Sequence, residues 1–244
     1  MLKKTFILGL LMAVLIPPVG AKACLVSVTI TATDGTNTAI QTFSSESVSV
    51  ANGGFECVFV NEYGPEISLF DGGAITSLKL TMDADPEVGI EFGVRASSLA
   101  TTFSILSDVI VFDPMVNPEA YASAGVTMTD RPGVSGATIT GLFPDGKTHQ
   151  ARYNGSSVFA NLVSGFAITS GTMTKDEENG NEFSMITIND TLTSIESQFY
   201  FTLTARDSAS GTSTFVVVPE PATMALLGLG ALSLLRMKRK AGCN

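Results

Sequence analysis

The 244-residue chain contains no tryptophan, one histidine and three cysteines, and its 14 Lys and Arg residues are outnumbered by 23 Asp and Glu. Each shortage excludes something. With His149 as the sole imidazole, a Ser-His-Asp or Cys-His set has to be built on that one residue, in the polar stretch GKTHQARY beside a turn, and no GxSxG accompanies it. The expectation is an exposed loop or strand histidine, and a protein that is not an enzyme. No CxxC pair and no Cys/His spacing supports zinc. Sugar-cleaving clefts use aromatic platforms, so the missing Trp weighs against a glycosidase, although Asp83, Asp85, Glu87 and Glu91 supply carboxylates. Long apolar helical stripes are also missing. The best helical scrap between residues 24 and 217 is PEAYASAG, residues 118–125, at most two turns. No fixed-period repeat supports a solenoid.

What is present is alternation with period two. VGIEFGVRAS places Val88, Ile90, Phe92 and Val94 on one face and Gly89, Glu91, Gly93 and Arg95 on the other. AITSLKLTM does the same with Ile75, Leu78, Leu80 and Met82 after one slip at Thr76-Ser77, and SQFYFTLTA aligns Phe199, Phe201, Leu203 and Ala205. LVSVTITAT, FECVFV, DVIVF, GVTMT, GATITGLF, SVFANLV, FAITSGTMT and FSMITI are further strand candidates, separated by Gly, Asn, Asp and Pro clusters. After the turn-rich RDSASG, TSTFVVV offers a return strand, which predicts a closing hairpin. The pattern predicts an all-β fold, a single β-sandwich with jelly-roll-like or Greek-key order, over residues 24–217.

The ends have different chemistry. Lys3 and Lys4 precede an apolar run from Phe6 to Ile16, and Ala21-Lys22-Ala23 is a small-x-small site. Residues 1–23 read as a secretory signal peptide cleaved after Ala23, leaving Cys24 first. Eleven apolar residues fall short of the ~20 that span a bilayer, which argues against an uncleaved anchor. Lys22 before Ala23 and the lack of Leu at position 21 fit a lipidation site poorly. Residues 24–218 then hold seven basic and 22 acidic groups, a net charge of −15. Nucleic acid and anionic lipid are excluded as partners of this body. Self-repulsion should keep it soluble and discourage edge-to-edge strand association.

Export places Cys24 and Cys57 in an oxidising compartment, where an even pair permits one disulfide. Two acidic stretches, DADPE with Asp83 and Asp85 and DEENGNE with Asp176 and Glu178, read as oxygen-rich loops of the kind that hold a hard cation. Calcium is the candidate ion, although neither stretch has EF-hand order. No other cofactor is expected.

At the C-terminus, Pro219 and Pro221 fix φ and remove backbone donors, so Val218-Pro219-Glu220-Pro221 is an extended, protease-accessible segment. Fourteen uncharged residues follow, Ala222 to Leu235, about 21 Å as a helix against a hydrocarbon core of about 30 Å. Spanning at that length needs bilayer thinning and snorkelling by Arg236, Lys238, Arg239 and Lys240. That basic cluster stays cytoplasmic, which leaves the body outside. In order and spacing, residues 218–244 resemble the PEP-CTERM sorting signal: motif, transmembrane helix, basic tail. The resemblance implies recognition and removal of the tail by exosortase, an integral-membrane cysteine protease of Gram-negative bacteria that make extracellular polysaccharide. It implies nothing about the body. The expected protein is exported, tethered in the inner membrane until processed, and then structural or adhesive at the cell surface or in a biofilm matrix. A module binding extracellular polysaccharide is the alternative, and an extracellular hydrolase the least supported.

Overall fold

A computed structural model describes residues 25–46, 55–60, 65–83, 86–131 and 136–219. The expected signal peptide, Cys24 and the tail from Glu220 onward lie outside the described residues. In chain order the strands are β1 (Leu25–Thr33), β2 (Thr38–Glu46), β3 (Phe55–Val60), β4 (Ile67–Ser68), β5 (Ala74–Asp83), β6 (Glu87–Arg95), β7 (Thr101–Ser107), β8 (Ile110–Val116) and β9 (Glu119–Thr129). They continue with β10 (Ala137–Gly141), β11 (Lys147–Tyr153), β12 (Ser157–Ser164), β13 (Phe166–Ile168), β14 (Thr172–Asn179), β15 (Ile186–Thr187), β16 (Thr191–Leu203) and β17 (Ser208–Val218). One 3₁₀ turn, Pro144–Gly146, precedes β11.

The strands form two antiparallel sheets, as the alternation requires. The first runs β12-β11-β16-β7-β1-β2, with β10 and β8 also on β16 and β13 on β10. The second runs β14-β9-β17-β6-β5-β3, with β15 on β9 and β4 on β5. Their inner faces meet over phenylalanine. Phe92 of β6 lies edge-on to Phe199 of β16, centroids 4.8 Å apart, and stacks 5.7 Å from Phe201. Phe103 packs 5.8 Å from Phe201, and Phe159 stacks 5.2 Å from Phe215. Burying each such ring contributes roughly 2–3 kcal/mol. At one side the sheets are tied together by polar side chains. Lys147 Nζ lies 2.5 Å from Glu177 of β14, which also accepts the Ser164 N–H at 2.9 Å, and Asn179 Nδ2 donates to the Phe159 carbonyl at 3.3 Å.

Several sequence expectations are realised residue by residue. Val88, Ile90, Phe92 and Val94 are buried, and so are Phe199, Phe201 and Leu203. The slip at Thr76-Ser77 is a bulge, where the β5–β6 register shifts between Ile75 and Ser77. Others are corrected. Ala205 lies past the end of β16, in the turn. Residues 118–125 are not helical: Glu119 onward is β9, and Ala120, Ala122 and Ala124 are small because they line the core, with Ala122 directly beside Phe215. The closing hairpin does not form. β16 pairs in the first sheet with β7 and β11, whereas β17 pairs in the second with β6 and β9. Each strand has one largely apolar face, interrupted only by Ser197 and Ser213, which hydrogen-bond to each other, and stacking the two faces across the core buries both at once.

Candidate functional site

Two features stand out, the point where β17 leaves the body and the outer face of the second sheet. β17 is a central strand. Val217 is fully buried and its N–H donates to the Pro86 carbonyl at 2.9 Å, Val218 is half-buried opposite Glu119, and Pro219 is exposed. The exit has acidic surroundings. Glu87, opposite Val216, is held above the ordinary carboxylate range by burial, then by Asp83 and Glu182. Tyr121 is raised by burial, then by Glu182 and Glu87.

On the outer face the register sets cross-strand rows. One runs Asp176 (β14), Gly125 (β9), Thr212 (β17), Glu91 (β6) and Lys79 (β5), and the next runs Glu178, Ser123, Thr214, Gly89 and Thr81. Small side chains leave an open trough of about 400 Å³ over Ser123, Gly125, Asp176, Glu178, Thr212 and Thr214. Gly125 lets the Asp176 carboxylate lie over β9, since a Cβ at that position would push this exposed side chain aside. Carboxylates and hydroxyls in such a trough can exchange hydrogen bonds with a polyhydroxylated ligand. Lys79 lies 3.8 Å from Glu91, an exposed pair of little energetic weight.

His149 is neither exposed nor in a loop. It is a fully buried residue of β11, with Nε2 2.9 Å from Ser197 Oγ and its ring 4.7 Å from Phe199. Burial lowers its pKa to about 3. Its polar neighbours Thr148 and Gln150 are buried too, so the polarity of the flanks reflects internal hydrogen bonding rather than exposure. This Ser-His pair is closed to substrate.

The candidate carboxylates Asp83, Asp176 and Glu178 are not brought together, although the far ends of the two acidic stretches, Glu87 and Glu182, are near enough to interact electrostatically. Asp176 to Asn179 form part of β14, an edge strand and not a loop, because its backbone pairs with β9 in unbroken register and Glu177 turns inward to bridge to Lys147. Asp83 ends β5 opposite Glu87, four strands away from β14, and Asp85 lies outside the described residues. Among the described residues no group of three His, Cys, Asp or Glu is placed to hold a metal ion. Cys57 is in β3, whereas its expected partner Cys24, the cleavage residues Ala21 and Ala23, and Glu220, Pro221, Arg236, Lys238, Arg239 and Lys240 lie outside the described residues. Among the described residues no helix is long and apolar enough to cross a membrane. The sequence reading did not single out the trough residues Ser123, Gly125, Thr212 and Thr214. Their signal is the polar half of each alternation, which any solvated strand also shows.

Residues 217–240 match the family model of the PEP-CTERM protein-sorting motif. The chain therefore carries that motif, which implies export, a membrane-anchored C-terminus before processing, and exosortase as the processing partner. The match begins inside β17, at a core residue. No curated protein matches the chain. Among solved structures it is similar to a chain from infectious bursal disease virus strain Gx, at 11% identity and a TM-score of 0.26 over 79% of this chain and 57% of that one. For strain Gt the figures are 12%, 0.22, 82% and 65%. The chain spans less than two thirds of either viral chain, and TM-scores this low define no shared fold.

Proposed function

We propose that this is a non-enzymatic extracellular protein whose sandwich serves a structural or adhesive role at the cell surface or in a biofilm matrix, after tail removal. In this reading Ala222 to Leu235 cross the inner membrane and the cluster from Arg236 to Lys240 remains cytoplasmic. The observation that carries it is the sorting motif running directly out of a core strand, with only Pro219, Glu220 and Pro221 between Val218 and the apolar span. A tether of three residues, about 10 Å at most, suits brief retention at the membrane followed by release. The intact mass of protein recovered outside the cell tests this. The expected product lacks Arg236 to Lys240, and alanine at Pro219, Glu220 and Pro221 together should leave the protein in the membrane fraction. A released protein that still contains the basic cluster overturns the reading.

The trough over Gly125 favours a second reading, a module that binds extracellular polysaccharide through hydroxyl and carboxylate hydrogen bonds. Binding on a glycan array that is lost in Gly125→Val separates it from the first. The hydrolase reading has the least support, since the one histidine is buried, and turnover of host polysaccharide tests it.

A further inference from the structure

The sheet edges are protected unequally. β14 carries Lys175, Asp176, Glu177 and Glu178 in succession, charges of the kind that deter strand addition. β12 is capped by the β14 side chains that reach the Ser164 N–H and the Phe159 carbonyl. β3 is interrupted by a bulge between Val58 and Val60. β2 has none of these devices. Its nine residues, TAIQTFSSE, hold no Pro or Gly and no charge before Glu46, and they pair with β1 in unbroken register. No described strand lies along its other side. Threonine pairs hold it flat against β1, Thr38 to Thr33 at 3.2 Å and Thr42 to Thr29 at 3.1 Å. Ile40 is 64% exposed on its outer face, a large apolar side chain where neighbouring positions carry hydroxyls.

We propose that β2 is an association edge, pairing antiparallel with β2 of a second copy of this chain so that the two first sheets become continuous. The choice of partner follows from charge. The body as a whole is strongly acidic, yet this strand is neutral over eight residues, so a copy of itself meets it without local repulsion. A two-fold centred on Thr42 sets Gln41 opposite Phe43, Ile40 opposite Ser44 and Glu46 opposite Thr38, with no like charges facing each other and Ile40 covered. One sequence supplies both sides of such an isologous contact. The long-range repulsion of the acidic bodies opposes it and is what salt removes. Association therefore strengthens with ionic strength, whereas net charge by itself predicts solitary monomers.

Sedimentation equilibrium of the full-length chain in density-matched detergent tests this, at low salt and at about 1 M, where the screening length is ~3 Å. The expected result is a reversible dimer favoured by salt. Thr42→Lys lowers the net negative charge but sets lysine against lysine, and should weaken dimerisation by roughly tenfold or more. Val158→Lys, the same charge change on the opposite edge strand, should not weaken it. Ile40→Lys with Ser44→Lys gives two further facing pairs, and serves if Thr42→Lys does not fold. A monomer at every salt concentration, or a dimer that survives these substitutions, as one formed through the C-terminal helix would, overturns the proposal.

Discussion

His149 Nε2 on β11 sits 2.9 Å from Ser197 Oγ on β16, and that hydroxyl lies 3.1 Å from Ser213 Oγ on β17, so a short polar chain crosses between the two sheets. Nδ1 of the same ring is buried without a hydrogen-bond partner among the described residues. The folded state therefore holds the imidazole neutral, with its pKa near 3, while the unfolded chain protonates it near 6.5. Between those values the unfolded state binds more protons, so stability is complete above about pH 6.5 and is lost as pH falls towards 3. Urea unfolding should show a slope approaching ~1.4 kcal/mol per pH unit below about pH 6. His149→Leu should flatten that slope above about pH 5, where Asp34, Glu66 and Glu177, all held below the usual carboxylate range, are still ionised. A wild-type protein with flat stability from pH 7 to 5 contradicts this account.

Phe92 is the contact through which the second sheet grips Phe199 and Phe201 of the first. Phe92→Ala should cost about 3–5 kcal/mol, since the close-packed sheets cannot collapse onto the cavity, and Phe92→Leu should cost under about 2. Chemical denaturation of both variants checks the ranking.

Glu177 and Glu178 are neighbours of the same type with different work to do. Burial pulls Glu177 upward, but hydrogen bonds from Lys147 and the Ser164 N–H outweigh it and keep the carboxylate ionised. Glu177→Ala strands the Ser164 donor and should cost about 1–2 kcal/mol, whereas Glu178→Ala, on the solvated face, should stay within about 0.5. Equal melting temperatures for the two variants would remove the bridge from the stability account.

Calcium should stabilise the protein no more than sodium chloride of matched ionic strength, because Asp176 and Glu178 are fixed along β14 and Asp83 lies four strands away. Paired melting curves check this. A higher melting temperature in calcium points to the acids around the β17 exit, Asp83, Glu87 and Glu182, or to carboxylates outside the described residues.

Strand existence was legible wherever apolar residues alternate strongly, and even the β5 bulge showed as a slip at Thr76-Ser77. β7 was missed although Thr101, Phe103, Ile105 and Ser107 all face the core, because two of the four buried positions are hydroxyl residues that read as surface. β2 was missed for the related reason that an edge strand buries little and so shows almost no alternation. β9 was misread because alanine favours helix over strand, and only the rings packed beside it in the sandwich require a small side chain there.

What the amino-acid sequence determined by itself was the alternating strands, the acidic balance and the sorting segment, since these rest on local spacing, ionisable groups and the fixed φ of two prolines. Which strands lie side by side and which stack was decided by tertiary structure. β16 and β17 show why: an alternating strand satisfies its apolar face equally well beside a neighbour or across the core, so periodicity is silent on the choice. The same holds for His149, whose burial depends on hydroxyls of Ser197 and Ser213, 48 and 64 positions further along the chain, that only the packed sheets bring within reach.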